Sequence, residues 1–489
     1  MNKLRKLTCL LLALMMVFAM TATASAADGE STITAPDGST RTYEVYQIFV
    51  GDLDPESKVL SNVKWGKNGT GTEGQPVDEA ILDALTSVNG KSDTEKMAAI
   101  ENYVKLTSEK FGEVKDGTPL TVPNGYYLIK DVGPVNAAAG EAYGRYVVKI
   151  VGNTTITPKV SNVTFEKKVK DTNDTTGETS GWQDSADYDI GDSVPFQLTG
   201  TVADDFKQYT SAYYFAFHDK MDESLDFVQN SVEVYVGSTL ITDGYTLNYT
   251  PHTFDLIFDD LRNVAGVTAG SKITVEFKAT LNASAKLGNQ GNVNDARLEY
   301  SNNPYSEQKG TTNWDSVIVF TYQVVVNKYA NEAVAGKERT GAAFKLEKLV
   351  GETWTLVKEF QADETTSTFT FKGLDDGKYK LTETVTPSGF NTIDPIEFTV
   401  TADHKVTWEG EARTTILTSL NGEPTEAGLI TFTPSVDTGT LSTDVINKSG
   451  STLPETGGMG TTLFYVLGGV LVLAAVVLLV TKKRMRSEN

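Results

Sequence analysis

The chain has 489 residues and a formal net charge of −21, with 64 acidic against 43 basic side chains. This charge argues against nucleic acid or an anionic surface as a partner. A single cysteine, Cys9, excludes a disulfide framework, and the three histidines lie in no metal-ligand spacing. Strand-forming residues between turns rich in Gly, Asn, Asp and Ser predict a mostly β protein.

The first 26 residues have the pattern of a secretory signal peptide. A basic start precedes an apolar run at residues 10–20, and small residues then offer a cleavage site before Ala27. Cys9 lies inside this leader. The mature chain therefore leaves the cytoplasm with no cysteine, and something other than disulfides must stabilise it.

Residues 27–159 form the first predicted domain. Its pattern indicates a strand at 41–50, helices at 77–85 and 94–111, and further strands near 126–130 and 146–150. No inward lysine is evident on the first strand, where Arg41 is the only basic residue.

The second predicted domain covers residues 160–320. Its first strand alternates so that one face carries Val163, Phe165, Lys167 and Val169. Burying a lone ammonium is costly unless the amine is paired, neutralised or consumed. Asp219 ends a strongly aromatic strand, and Asn294 lies in phase with apolar residues near the domain end, with Asn292 as the alternative.

The third predicted domain covers residues 321–448. One face of its first strand carries Tyr322, Val324, Val326 and Lys328. A Gly-Ala-Ala-Phe-Lys-Leu strand follows at 341–346. Glu383 lies in phase with Tyr379 and Leu381 on a later strand, and Asn447 lies in phase with Val445 on the last strand.

Residues 449–489 end the chain with a compact series of signals. The motif is Leu453-Pro454-Glu455-Thr456-Gly457, followed by an uncharged apolar run at 463–480 and a basic cluster. At about 1.5 Å per residue this run just spans a bilayer core. The basic cluster should stay on the cytoplasmic side.

This ending resembles the cell-wall sorting signal of Gram-positive surface proteins. The resemblance implies that a membrane sortase cuts between Thr456 and Gly457 and joins the Thr456 carbonyl to an amine. The segment Thr157-Pro158-Lys159 is similar to the pilin motif of Gram-positive shaft subunits, with Thr157 in place of the usual tyrosine. That resemblance implies that Lys159 supplies the amine, which would give a covalent head-to-tail polymer.

The two later domains resemble the self-crosslinking domains of collagen adhesins, the A type (CnaA) for the second and the B type (CnaB) for the third. The resemblance implies that Lys167 attacks Asn294 with Asp219 as the acid. It likewise implies that Lys328 attacks Asn447 with Glu383 as the acid. An apolar site favours a neutral amine and a protonated carboxyl, and attack on the amide expels ammonia.

The sequence as a whole resembles a sortase-assembled major pilin built of tandem Ig-like β-sandwich domains, the first with helical insertions. Its implied partners are sortase, neighbouring pilin subunits and peptidoglycan, with a host or microbial surface ligand left open. No cofactor is expected, since the Asp-rich loop at 171–177 lacks the glycine position and bidentate glutamate of a calcium loop.

Two alternatives compete with the pilin interpretation. The first is a monomeric wall-anchored adhesin, which shares every feature except a functional Lys159. The second is a wall-anchored enzyme, which no nucleophile–histidine pairing, metal cluster or paired-carboxylate motif supports.

Overall fold

The computed structural model describes residues 29–54, 59–91, 93–156, 162–209, 211–409, 412–450 and 459–485. The predicted leader, Lys159 and the motif from Leu453 to Gly457 lie outside these residues. In the described part of the chain the strands form six sheets, which group into three successive two-sheet units followed by an apolar helix. We refer to residues 30–155, 164–320 and 322–447 as the first, second and third units.

The first unit has one main sheet, with two helices packed on one face and a small second sheet packed on the other. Its elements are β1 Glu30–Thr34, β2 Thr42–Leu53, β3 Leu60–Trp65, α1 Glu79–Ser87, α2 Asp93–Glu101, β4 Gly112–Val114, β5 Leu120–Pro123, β6 Gly125–Gly133, β7 Arg145–Ile150 and β8 Thr154–Thr155. The main sheet has the order β3-β2-β6-β7, with β4 also on β2, and the small sheet has the order β5-β1-β8. Tyr43 and Val45 of β2 pack in the core shared with the small sheet, while Ile48 and Phe49 pack in the core shared with the helices.

The second predicted helix ends at Glu101 rather than at 111. Beyond Glu101 the backbone NH of Lys105 donates to the Asn68 carbonyl at 2.7 Å. The Tyr103 ring lies 6.5 Å from Phe49 and 6.3 Å from Trp65, measured between ring centroids. These tertiary contacts outweigh the helical pattern, because intrinsic helix propensity is worth only a fraction of a kcal/mol per residue.

The second unit is a two-sheet sandwich. Its strands are β9 Thr164–Val169, β10 Ser185–Asp187, β11 Ser193–Thr201, β12 Phe215–Met221, β13 Leu225–Val236, β14 Thr239–Ile241, β15 Thr246–Thr250, β16 Thr253–Phe258, β17 Lys272–Leu281, β18 Asn292–Ser301, β19 Lys309–Thr311 and β20 Asp315–Phe320. The larger sheet has the order β10-β20-β18-β12-β16-β15, with β19 on β18. The smaller sheet has the order β14-β13-β17-β11-β9.

The third unit is a second sandwich. Its strands are β21 Tyr322–Ala330, β22 Ala343–Val350, β23 Thr353–Glu359, β24 Thr368–Leu374, β25 Gly377–Val385, β26 Ile396–Glu409, β27 Ala412–Pro424, β28 Phe432–Ser435 and β29 Thr440–Asn447. One sheet has the order β24-β21-β29-β28 and the other β23-β22-β25-β26-β27. The last element is α3, Met459–Met485, whose segment Tyr465–Lys482 is long and apolar enough to cross a membrane.

Strand β20 belongs to two hydrophobic cores at once. Val317 and Val319 pack in the core of the second unit, whereas Ile318 and Phe320 pack in the core of the third. Alternate residues of a strand point to opposite faces, so one strand can serve both cores only if the units are held side by side. The second and third units therefore meet through shared packing rather than through a free linker.

A buried ammonium adds a polar component to this joint. The Lys348 side chain is 2% exposed, and its Nζ lies 2.7 Å from Asp189 and 2.9 Å from Asp174, both in the second unit. It also pairs with Asp375 of the third unit. Burial acts to lower the pKa of Lys348, but Asp375 and Asp189 outweigh that effect, so the pKa is raised and the charge is kept.

Substituting Lys348→Met should destabilise the joint strongly, because three carboxylates would face one another without their cation. We expect the free energy of unfolding to fall by about 3 kcal/mol or more. Scanning calorimetry of the secreted chain measures this loss. The matched control is Lys378→Ala, whose partly exposed pair with Glu397 at 2.8 Å should contribute less than about 1 kcal/mol. Equal losses in the two variants would contradict the role given to Lys348.

Candidate functional site

Three polar side chains meet between the two sheets of the second unit. Lys167 lies on β9 of the smaller sheet, and Asp219 and Asn294 lie on β12 and β18 of the larger sheet. The side chain of Lys167 has no exposure to solvent, and Asp219 and Asn294 are also buried. The alternation that placed Lys167 with the apolar residues is confirmed.

The geometry pairs the amine with the acid and sets the amide beside them. Lys167 Nζ donates to Asp219 Oδ2 at 2.5 Å. On the adjacent strands Asp219 lies opposite Ala296, which makes Asn294 its diagonal neighbour on the same face. Burial lowers the pKa of Lys167 against the opposing effect of Asp219, and burial raises the pKa of Asp219 to about 6 despite the ammonium. Both shifts favour the uncharged amine and acid.

Asn294 and Asn292 differ in their hydrogen bonding. Neither the amide nitrogen nor the amide oxygen of Asn294 has a hydrogen-bond partner among the described residues. Asn292 is saturated instead: its oxygen accepts from the Lys286 backbone NH at 2.8 Å, and its nitrogen donates to the Val319 carbonyl at 3.0 Å. Leaving a buried amide unpaired costs about 1–3 kcal/mol. Because the Asn294 amide is not engaged by such hydrogen bonds whereas that of Asn292 is, Asn294 is the better candidate for attack by Lys167.

Aromatic rings line the Lys167 site. The amine lies 5.4 Å from the centroid of Phe196 and 5.2 Å from that of Phe277, and the two rings stack on each other. The two rings help to exclude water from the amine, and this burial is what lowers the Lys167 pKa, although the faces of the rings themselves favour a cation. Sequence reasoning missed both rings, although Phe196 alternates in phase with Val194 and Leu198 and could have been assigned to the core.

The third unit builds a related cluster with a different layout. Lys328 on β21 and Asn447 on β29 lie on neighbouring parallel strands of one sheet, with Lys328 opposite Val445 and Ala330 opposite Asn447. Glu383 reaches them from β25 of the facing sheet. The side chains of Lys328 and Glu383 and the whole of Asn447 are 0% exposed.

Glu383 stands between the amine and the amide. Its Oε1 lies 3.6 Å from Lys328 Nζ, and its Oε2 accepts from Asn447 Nδ2 at 2.9 Å. The Asn447 carbonyl oxygen has no partner in the described part of the chain. Burial lowers the pKa of Lys328 to about 8 against the opposing effect of Glu383. The amine is still mostly protonated near pH 7, but it has a far larger neutral fraction than an ordinary lysine.

Several groups that orient the third-unit cluster were not predicted. The Asn391 carbonyl accepts from Asn447 Nδ2 at 2.6 Å, and the Val445 carbonyl accepts from Lys328 Nζ at 3.3 Å. The Thr386 hydroxyl donates to Glu383 Oε2 at 3.1 Å. Backbone carbonyls carry no sequence signal of their own, so only the fold could reveal the first two.

The first unit buries a different cation. Arg41, the only basic residue in the predicted first strand, is 8% exposed and pairs with Asp131 and, at 2.6 Å, with Glu141. Burial acts to lower its pKa, but the two carboxylates outweigh this and raise it. A guanidinium that stays charged in this way cannot act as a nucleophile.

Parts of this chain are similar to known protein families and to one curated protein. Residues 322–412 match the SpaA family of prealbumin-like fold domains, and residues 446–489 match the LPXTG cell wall anchor motif. The chain is 25% identical over 382 residues to the trypsin-resistant surface T6 protein of Streptococcus pyogenes serotype M6, a match that covers 60% of this chain and 68% of that protein.

Among solved structures, that of one backbone pilin shares the fold of this chain over most of its length. The T6 backbone pilin of S. pyogenes, a modular three-domain structure, matches with a TM-score of 0.53 at 18% identity, over 88% of this chain and all of that one. The full-length major pilin SpaD from Corynebacterium diphtheriae gives 0.48 at 17% identity, over 87% of this chain and 98% of that one. The predicted fold class is confirmed for the sheets and the terminal helix. The chain therefore shares the fold of the T6 backbone pilin along most of its length and carries the LPXTG cell wall anchor motif at residues 446–489.

Proposed function

We propose that this protein is the shaft subunit of a covalent pilus, joined by sortase from Thr456 of one subunit to Lys159 of the next. We further propose that residues 160–320 and 321–448 are domains that crosslink themselves. The observation that carries the second proposal is the pair of fully buried lysines, each beside a carboxylate and an asparagine whose carbonyl oxygen has no partner among the described residues.

The crosslinking step balances without any external reagent. A proton passes from the lysine ammonium to the neighbouring carboxylate, which leaves a neutral amine. The amine nitrogen attacks the asparagine carbonyl carbon while the carboxyl polarises the carbonyl oxygen. The bond to the amide nitrogen then breaks, ammonia leaves with the transferred protons, and the carboxylate is regenerated. Asp219 serves Lys167 and Asn294, and Glu383 serves Lys328 and Asn447.

The two bonds would hold their units differently. A Lys167–Asn294 bond would tie the two sheets of the second unit to each other, because β9 and β18 belong to different sheets. A Lys328–Asn447 bond would tie the first and last strands of the third unit within one sheet. Arg41, a buried cation of the first unit, precedes β2 in the structure and does not lie on the first strand, β1. We propose no internal bond in the first predicted domain, residues 27–159.

The polymer proposal rests on the ends of the chain and on its relatives. The LPXTG match includes the residues from Leu453 to Gly457, and α3 would hold the precursor in the membrane until sortase acts. The T6 protein, which shares this fold, is described as a backbone pilin. In the sequence Lys159 falls between the first and second units, and a bond from Thr456 of one subunit to Lys159 of the next is a heterologous contact that would propagate as a fibre. Peptidoglycan would receive the base of the fibre.

Intact-mass analysis tests the internal bonds. The secreted chain should be lighter than its sequence by two ammonia molecules, each about 17 Da. Glu383→Ala and Asn294→Ala should each restore one ammonia. Asn292→Ala is the matched control and should keep both losses, since Asn292 is saturated by backbone hydrogen bonds. A wild-type chain of unshifted mass would refute both bonds.

Limited trypsin digestion tests the difference between the units. We expect cleavage first within residues 27–159, because that unit has no proposed crosslink to limit its local unfolding. Removing the third-unit bond with Glu383→Ala should make residues 321–448 sensitive as well. Equal resistance of the first unit and the other two in the wild type would argue against this assignment.

An immunoblot of cell-wall extracts on a denaturing gel tests polymerisation. The wild type should give a ladder of very large species that collapses to monomer in Lys159→Ala, since the receiving amine is lost. Lys207→Ala, an exposed lysine of the second unit, is the control and should keep the ladder. A monomer band in the wild type would favour the wall-anchored adhesin, and a ladder in Lys159→Ala would move the linkage to another lysine.

A further inference from the structure

We propose that Asp171, Asp187 and His404 form a binding site for a divalent transition metal, of the Zn²⁺ type, at the joint between the second and third units. Asp171 follows β9 and Asp187 lies on β10, whereas His404 lies on β26 of the third unit. The ligand atoms come from segments more than two hundred residues apart, which is why the scattered histidines gave no motif in the sequence.

The spacing of the three ligand atoms fits a metal better than direct hydrogen bonds. His404 Nε2 lies 3.5 Å from Asp187 Oδ1 and 3.6 Å from Asp171 Oδ2. These distances exceed those of normal N–H···O hydrogen bonds. Zinc bonds of about 2.0–2.2 Å in tetrahedral geometry place neighbouring ligand atoms about 3.3–3.6 Å apart. The two separations are therefore those expected for two edges of a tetrahedral site.

Unpartnered buried atoms give a second, independent sign that a ligand is needed. Asp187 is 2% exposed and Tyr322 is 1% exposed, and the Tyr322 hydroxyl lies beside Asp187. Asp187 Oδ2 and the Tyr322 hydroxyl make no hydrogen bond of normal geometry within the described residues, although the hydroxyl and the Asp187 carboxylate are near enough to interact with each other. A buried carboxylate oxygen without a partner is costly, and a cation at this point would remove that cost.

A neighbouring hydroxyl orients the imidazole for coordination. Ser185 Oγ lies 2.8 Å from His404 Nδ1, so an Nδ1–H that donates to Ser185 orients Nε2 toward the two carboxylates. Burial acts to lower the pKa of His404, but without a metal Asp171 and Asp187 outweigh it, raise the pKa to about 10 and keep Nε2 protonated, so a metal ion would replace that proton. The Phe320 ring, 5.5 Å from the imidazole centroid, closes one side of the site with apolar surface. One imidazole with two carboxylates suits Zn²⁺, whereas Ca²⁺ prefers six to eight oxygen ligands.

His218 shows what the competing arrangement looks like in the same chain. Its Nδ1 lies 2.6 Å from Asp255 on β16, and its Nε2 lies 3.3 Å from Glu299 on β18. Each ring nitrogen of His218 thus has a carboxylate of its own at or near hydrogen-bond distance. At His404 both carboxylates face a single nitrogen from beyond that distance, which leaves room for an ion among them.

Calorimetric titration of the secreted chain ending at Thr456 with Zn²⁺ tests the proposal. We expect one high-affinity site per chain, lost in His404→Gln and weakened about tenfold or more in Ser185→Ala, which acts only through the ring orientation. His218→Gln is the matched control and should bind as the wild type does. Co²⁺ in place of Zn²⁺ should give the intense visible absorption of tetrahedral coordination in the wild type and in His218→Gln.

Near-UV circular dichroism shows whether His404→Gln keeps its fold, and the cobalt spectrum of Ser185→Ala gives a reading in a milder variant. Absence of a stoichiometric site in the wild type would overturn the proposal and leave His404 as an ion-pair partner. Zn²⁺ binding that survives His404→Gln would overturn it as well. None of these readouts depends on polymer formation or on the internal bonds, so the metal proposal and the pilus proposal can fail separately.

Discussion

The second and third units depend on how each accommodates a lysine amine that has no access to water. An isolated buried ammonium would cost more than a domain of this size can recover from packing. The fold can surround the charge with carboxylates, favour the neutral amine, or consume the amine in a bond. Lys348 shows the first of these, and the lowered pKa values of Lys167 and Lys328 show the second.

Lys348 and Lys328, both in the third unit, differ in how the fold accommodates their buried amines. Lys348 faces three carboxylates, keeps its proton and holds the joint between units. Lys328 has one carboxylate partner among the described residues, Glu383, beside the Val445 carbonyl and the Phe344 ring, and its lowered pKa raises the fraction of the neutral amine that nucleophilic attack requires. Both side chains are almost fully buried. The number of facing carboxylates separates an ion-pair anchor from a nucleophile, and burial alone does not.

Alternation along strands was enough to place Lys167, Lys328 and Glu383 inside their units, since residues two apart share a face. The same rule applies to Lys348, in phase with Phe344 and Leu346, but it cannot say which side chains lie opposite. Contacts between distant segments were also invisible: the carboxylates around Lys348 and His404, and the end of α2 at Glu101, depend on partners that no local pattern names. Sequence therefore predicted the strands and the burial of these polar side chains better than the joint between units.

With the proposed bonds in place, tension along a fibre would follow a short route through each subunit. It would enter at Lys159, cross from Lys167 to Asn294 and from Lys328 to Asn447, and leave at Thr456. The first unit would lie outside this covalent path and would carry no tension, so it would need no crosslink. Between the two bonds the load would rest on residues 294–328 alone. That stretch contains β20, the strand buried in two cores, and the Lys348 and His404 clusters lie at the same joint. The two-core packing of β20 and the two polar clusters would therefore stabilise the joint at the segment that neither proposed crosslink spans.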